Sequence, residues 1–260
     1  MSKIAVLITS FKRDKLLYNT VQTVIDNWSS DFGALFVANQ SYKTGEEKDE
    51  AVIRFGTNIN NPNDRPIYYY NLDFDCGLSY ARNFLVSKAF QHEFKYVIIS
   101  ADSIQFPQQY DLSNAIDFLE TKEYNGIIGF DLKDRVSWER DLELVEGKHF
   151  SLKRPARKPM QFNGVVYQPV DICRNFFLAK TECLLNVRWD NDLKLGEHED
   201  FFYRFKHYGP YNVFYNIDIR ANYVSDKPEE YMKYRQRLYK EFIPKLKAKY
   251  DITGFVDYEH

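Results

Sequence analysis

The spacing of hydrophobic and polar positions changes several times along this chain, and each change marks a new element. Lys3–Phe11 (KIAVLITSF) is a short run rich in apolar and β-branched residues, the pattern of a strand buried on both faces. Leu17, Val21, Val24 and Trp28 follow at helical spacing, so an amphipathic helix is predicted. Strands are predicted at ALFVANQS (34–41), PIYYYNLDF (66–74), KYVIISADS (95–103) and NGIIGFDL (125–132). Helices are predicted at GLSYARNFLVSKAF (77–90) and DLSNAIDFLETKE (111–123). Strands alternating with helices imply a mostly parallel sheet covered on both faces, a Rossmann-like α/β unit.

After Asp131 the pattern shifts. A hairpin across Glu146-Gly147 is predicted, then loop and strand over 156–172, then an apolar strand passing into a helix over 174–185. A helix opening near Gly196, a late strand pair over 211–224 and a basic amphipathic helix over 228–248 complete the chain. Tyr231, Tyr234, Leu238, Phe242 and Leu246 form one stripe of that last helix. The expected organisation is one compact domain over 1–225, with a nucleotide-binding half (1–130) and an acceptor half (131–225). Residues 226–260 would be a helical appendage that caps the fold, forms a homodimer or touches an anionic surface.

Composition narrows the function. Hydrophobic residues make up 44% of the 260, ample for a core. The net charge of −2 gives no global basic field to draw nucleic acid, although Lys148–Pro159 and the last helix are locally basic. Three cysteines, Cys76, Cys173 and Cys183, match no metal spacing and suit a reducing compartment. No apolar run reaches the length of about 18 residues that a membrane span needs, and nothing resembles a signal peptide. The expected location is the cytoplasm.

Ligands of open α/β sheets bind beyond the carboxyl ends of the strands. Those ends are Thr9-Ser10-Phe11 with Arg13 just beyond, Asn39-Gln40, Asp75 leading to Gly77, and Ala101-Asp102-Ser103. Small and polar, they suit a nucleotide donor. Gly77 permits a close turn, and Arg82 lies early in the next helix, where it can reach a diphosphate.

GLSYARNFLV before an apolar strand with an acidic tip resembles GT-A glycosyltransferases. CRNFFLAKTECLLNVRWDNDL followed by GEHEDFF resembles the ganglioside-type β-1,4-N-acetylgalactosaminyltransferases. Asn175, Phe176, Phe177, Leu178, Ala179, Thr181, Trp189, Asp190, His198, Asp200, Phe201 and Phe202 fall on that family's pattern, and the resemblance covers roughly residues 3 to 225. It implies transfer of a sugar, with inversion, from a UDP-sugar to a glycan, lipid-linked or other hydroxyl acceptor. It also implies a base at the helix start, His198 or Asp200 ahead of Glu199, with Asn175, Trp189 and Glu197 lining the acceptor site. The chain departs from the family at the metal motif: of the usual acids only Asp102 remains, so Mn²⁺ or Mg²⁺ binding there is in doubt and a cation such as Arg82 would have to replace it. Two alternatives stay open. One is a transferase acting on modified DNA bases; the other is a degenerate GT-A domain that binds sugar or nucleotide without turnover.

Overall fold

The computed structural model describes residues 4–133 and 139–258; Lys3, at the head of the predicted first strand, lies outside them. The elements are β1 (Ile4–Ser10), α1 (Asp14–Asp26), β2 (Phe32–Asn39), α2 (Gly45–Asn58), β3 (Ile67–Asn71), α3 (Leu78–Gln91), β4 (Tyr96–Ala101), β5 (Ile104–Gln105), α4 (Ser113–Glu120) and β6 (Asn125–Lys133). They continue as β7 (Asp141–Val145), β8 (His149–Lys153), β9 (Met160–Phe162), β10 (Val165–Val170), β11 (Phe177–Lys180), α5 (Thr181–Asn186), α6 (Glu197–His207), β12 (Asn212–Tyr223), α7 (Glu229–Tyr250) and β13 (Val256–Tyr258).

The main sheet runs β3-β2-β1-β4-β11-β6-β12-β10-β9. β3, β2, β1 and β4 are parallel; β11 enters antiparallel between β4 and β6. A sheet covered on both faces must sort its side chains by the two-residue period of a strand, and it does. Ile4, Val6 and Ile8 of β1 join one core, with α1 and α4; Ala5 and Leu7 join the other, with α3, α5 and α6. The same split recurs in β4, where Tyr96 and Ile98 face one way and Val97 and Ile99 the other. A smaller sheet, β13-β8-β7, packs Leu142, Phe150 and Leu152 into the second core.

Three elements differ from the expected pattern. The late strand pair is a single bulged strand, β12, whose pairing with β6 slips between Asn216 and Arg220. β9 and β10 form a hairpin over Asn163-Gly164, both at positive φ. α2 has no counterpart in the sequence reading, because only Ala51 and Phe55 of it are buried. Its signal was the capping box of Thr44 and Glu47, each bonding the other's backbone N–H.

α6 opens on Gly196 in the left-handed region (φ 76°). A Cβ there would meet Leu246 Cδ2 of α7 at 2.8 Å. Gly196→Ala is therefore expected to cost about 1–2 kcal/mol from the left-handed backbone alone, read as a lower denaturant midpoint. The need for glycine comes from α7 packing against the helix start.

Candidate active site

Strand ends and the helices α3, α6 and α7 enclose a cavity of about 440 Å³, within the size range of small-ligand sites. Thr9, Ser10, Phe11, Arg13, Gln40, Asp75, Gly77, Arg82, Ala101 and Ser103 of the expected donor side line it. So do Asn175, Glu197, His198 and Glu199 of the expected acceptor side. Tyr231, Tyr234, Arg235, Leu238 and Tyr239 of α7 close it, a contribution that local sequence pattern did not reveal. The apolar stripe of α7 was legible; that it returns over the strand tips is a matter of long-range packing.

Asn39, Asp102, Trp189 and Asp200 do not line this cavity among the described residues. Asn39 is fully buried, donating to Asp14 and Tyr69 and accepting from Ser41. Its amide braces the loop rather than offering an edge to a base. Gln40 accepts the Gly77 N–H at 2.7 Å, which fixes the turn into α3. Trp189 stacks on Phe201 with centroids 4.2 Å apart, and Asn83 bonds its backbone N–H and carbonyl. It is a core residue supporting α6.

The four consecutive polar residues at the start of α6 separate into different surroundings. Asp200 is fully buried away from the cavity, gripped by Arg204 at 2.9 and 2.8 Å, Tyr250 Oη at 2.8 Å and Lys249 at 2.6 Å. His198 packs edge-on to Phe202, 5.0 Å between centroids. Burial, reinforced by Arg82, pulls its pKa down to about 3, so the ring is neutral and a weak proton acceptor. Glu197 forms an ion pair with Arg82 at 3.2 Å, both nearly fully buried. Arg82 is thereby committed to a carboxylate and to the face of Trp189, 5.5 Å away. Its guanidinium is not open to a diphosphate without releasing Glu197.

Glu199 is different. It bonds its own backbone N–H and forms no ion pair among the described residues, yet it is only 7% exposed and faces the cavity. Burial, with Glu197 adding repulsion, pushes its carboxyl up to about 7. A carboxyl poised near neutrality can accept a proton in the working range. Across the cavity, Asn175 Oδ1 is buried without a hydrogen-bond partner among the described residues, as is Thr9 Oγ1. Buried polar atoms lacking partners are costly unless a ligand supplies one.

The residues present fit a divalent cation poorly. Asp102 is fully buried, and Arg13 binds both of its oxygens at 2.5 and 3.1 Å, with Ser10 Oγ adding a third bond at 2.8 Å. Its neighbours are Ala101 and Ser103, and no group of three or more His, Cys, Asp or Glu side chains suited to a metal occurs among the described residues. A cation at Asp102 would first have to displace Arg13.

The basic stretch over 148–159 lies apart from the cavity lining. Lys153 pairs with Glu143, and Arg157 with Asp141 and Asp171, so several of its charges are already answered. No helix among the described residues is long and apolar enough to cross a membrane.

No protein-family model and no curated protein sequence matches the chain. Solved structures do. A mannosyltransferase from Pyrobaculum calidifontis, in complex with GDP-Man and Mn²⁺, has 13% identity and a TM-score of 0.57 over 92% of this chain and 61% of its own. GalNAc-T7 with UDP, GalNAc and Mn²⁺ has 11% identity and a TM-score of 0.64 over 92% and 48%. TarS 1–349 from S. aureus with UDP has 12% identity and a TM-score of 0.54 over 92% and 65%. This chain thus spans between about half and two thirds of the length of these proteins. At such identities the likeness is one of fold: the chain has the GT-A fold, a central, mostly parallel sheet flanked by helices, together with a C-terminal helix.

Proposed function

We propose that this protein is an inverting glycosyltransferase, moving a sugar from a nucleoside-diphosphate donor to an acceptor hydroxyl. The observation that carries the reading is Glu199: a buried carboxylate in no ion pair among the described residues, opening on the cavity at the strand ends of a GT-A fold. Glu199 takes the proton of the acceptor hydroxyl as that oxygen bonds to the anomeric carbon. The bond from that carbon to the diphosphate oxygen breaks on the opposite face, and the nucleoside diphosphate leaves with the electron pair. One displacement inverts the anomeric centre. Asn175 Oδ1 offers an acceptor for a sugar hydroxyl, and Thr9 offers one for the nucleotide.

Glu199 is favoured here over His198 and Asp200, the first choices from sequence, because the imidazole is a weak base and the Asp200 carboxylate is fully engaged. UDP is the favoured nucleotide, from the sequence resemblance and from the UDP in two of the three structures similar in fold. The resemblance of the second half makes UDP-N-acetylhexosamines the first donors to try.

The test is a panel of UDP- and GDP-sugars, scored by nucleoside diphosphate release. The product anomer is then assigned by NMR. Release from one donor class with an inverted product is the expected result. A product of retained configuration would overturn the single-displacement step. Absence of release from every donor, with binding intact, would favour a binding domain without turnover.

A further inference from the structure

Two of the structures similar in fold contain Mn²⁺, whereas the acid at the β4 tip here is already bound by an arginine. A diphosphate still needs its charge answered as it departs. Five basic and three acidic side chains line the cavity, so its lining carries an excess of positive charge. Three of the basic ones pair with carboxylates, Arg13 with Asp102, Arg82 with Glu197 and Lys194 with Asp75, and Arg174 is engaged as well. Arg235 is half-buried and donates a long hydrogen bond from Nη1 to Tyr231 Oη, 3.4 Å; no carboxylate lies within 4.0 Å of it among the described residues.

Its position joins the two halves of the site. Tyr231 has the Arg13 guanidinium over its ring at 4.5 Å, and Arg13 in turn grips the β4 tip at Asp102. Arg235 thus follows Tyr231 away from the strand tips, close enough to Glu197 and Glu199 for their charges to be felt. The helix that carries it is anchored on the donor side. Lys12 bonds Glu230 at 2.8 Å, Arg237 pairs with Asp75, and Tyr234 packs edge-on to Phe11, 5.2 Å between centroids.

We propose that the donor diphosphate is bound without a divalent cation, its charge answered by guanidinium groups, chiefly Arg235 of α7. This rests on the nucleotide-sugar reading above. A guanidinium fork bonds two phosphate oxygens at once, which suits the role better than a point charge. α7 is then a part of the donor site, and the anchors at its start hold Arg235 in place.

The test is isothermal titration of UDP, GDP and uridine into wild type, Arg235→Ala and Arg235→Lys, each with EDTA and with Mn²⁺. UDP is expected to bind wild type equally well in EDTA and Mn²⁺. Arg235→Ala is expected to weaken UDP about 10- to 100-fold, the scale of a lost charge-assisted bidentate contact. Uridine binding should not change, and Arg235→Lys should fall between. UDP binding that requires Mn²⁺ and ignores Arg235 would overturn the proposal while leaving the transferase reading intact. An equal loss of UDP and uridine in Arg235→Ala would also overturn it, assigning Arg235 to the folding of α7. No binding of UDP or GDP under either condition would defeat the nucleotide-sugar reading itself.

Discussion

Glu199→Gln is expected to lower sugar transfer about a thousandfold, the middle of the range for losing a general base, with nucleotide binding intact. The same change is expected to stabilise the protein at pH 8. Burial raises this carboxyl from 4.5 to about 7, so the folded state prefers it protonated. Its contribution to stability is full below the unfolded value and is lost as pH rises through 7. Above that, the buried charge costs on the order of 3 kcal/mol, which glutamine escapes because it cannot ionise. Wild type and Glu199→Gln should therefore have similar stability at pH 4 and separate progressively toward pH 8. Denaturant midpoints at several pH values check this. A residue kept for stability would give the reverse: loss of stability on substitution.

Asp200→Ala should do the opposite, though the residue is adjacent. It carries a fully buried carboxylate that holds Arg204, Lys249 and Tyr250 together. Its loss leaves two cations facing a site that no longer answers them. Breaking a buried pair costs about 3–5 kcal/mol, and the low end applies because Arg204 and Lys249 keep some access to water. The melting temperature should fall by roughly 10 °C on that basis. UDP affinity below the transition should be close to wild type, since Asp200 does not line the cavity. Loss of transfer with an unchanged melting temperature would instead make Asp200 the base.

These paired outcomes bear on what the sequence could disclose. The alternating periods made the first half of the sheet legible, because strands buried on both faces and amphipathic helices leave unmistakable spacing in β1, α1, β4 and α4. The antiparallel entry of β11 was not legible, since an apolar strand reads alike in either direction. At the site, Gly196 and the run of acids marked the start of α6. The choice of base among His198, Asp200 and Glu199 could not be made from spacing. Successive helical positions point about 100° apart, and which carboxyl is left without an ion pair at the cavity depends on partners far along the chain: Arg82 for Glu197, Lys249 and Tyr250 for Asp200. The missing metal acids were visible at Ala101 and Ser103. That Arg13 occupies the remaining Asp102, and that α7 brings Arg235 to the cavity, follows from tertiary packing alone.

The most direct test of the account is the pH dependence of single-turnover transfer by the wild-type protein, once a donor is identified. With Glu199 as base, the rate should rise with pH and level off with a midpoint near 7, where burial has set that carboxyl. A rate already at its plateau at pH 5, and still present in Glu199→Gln, would contradict the assignment of the base and with it the reading of this site.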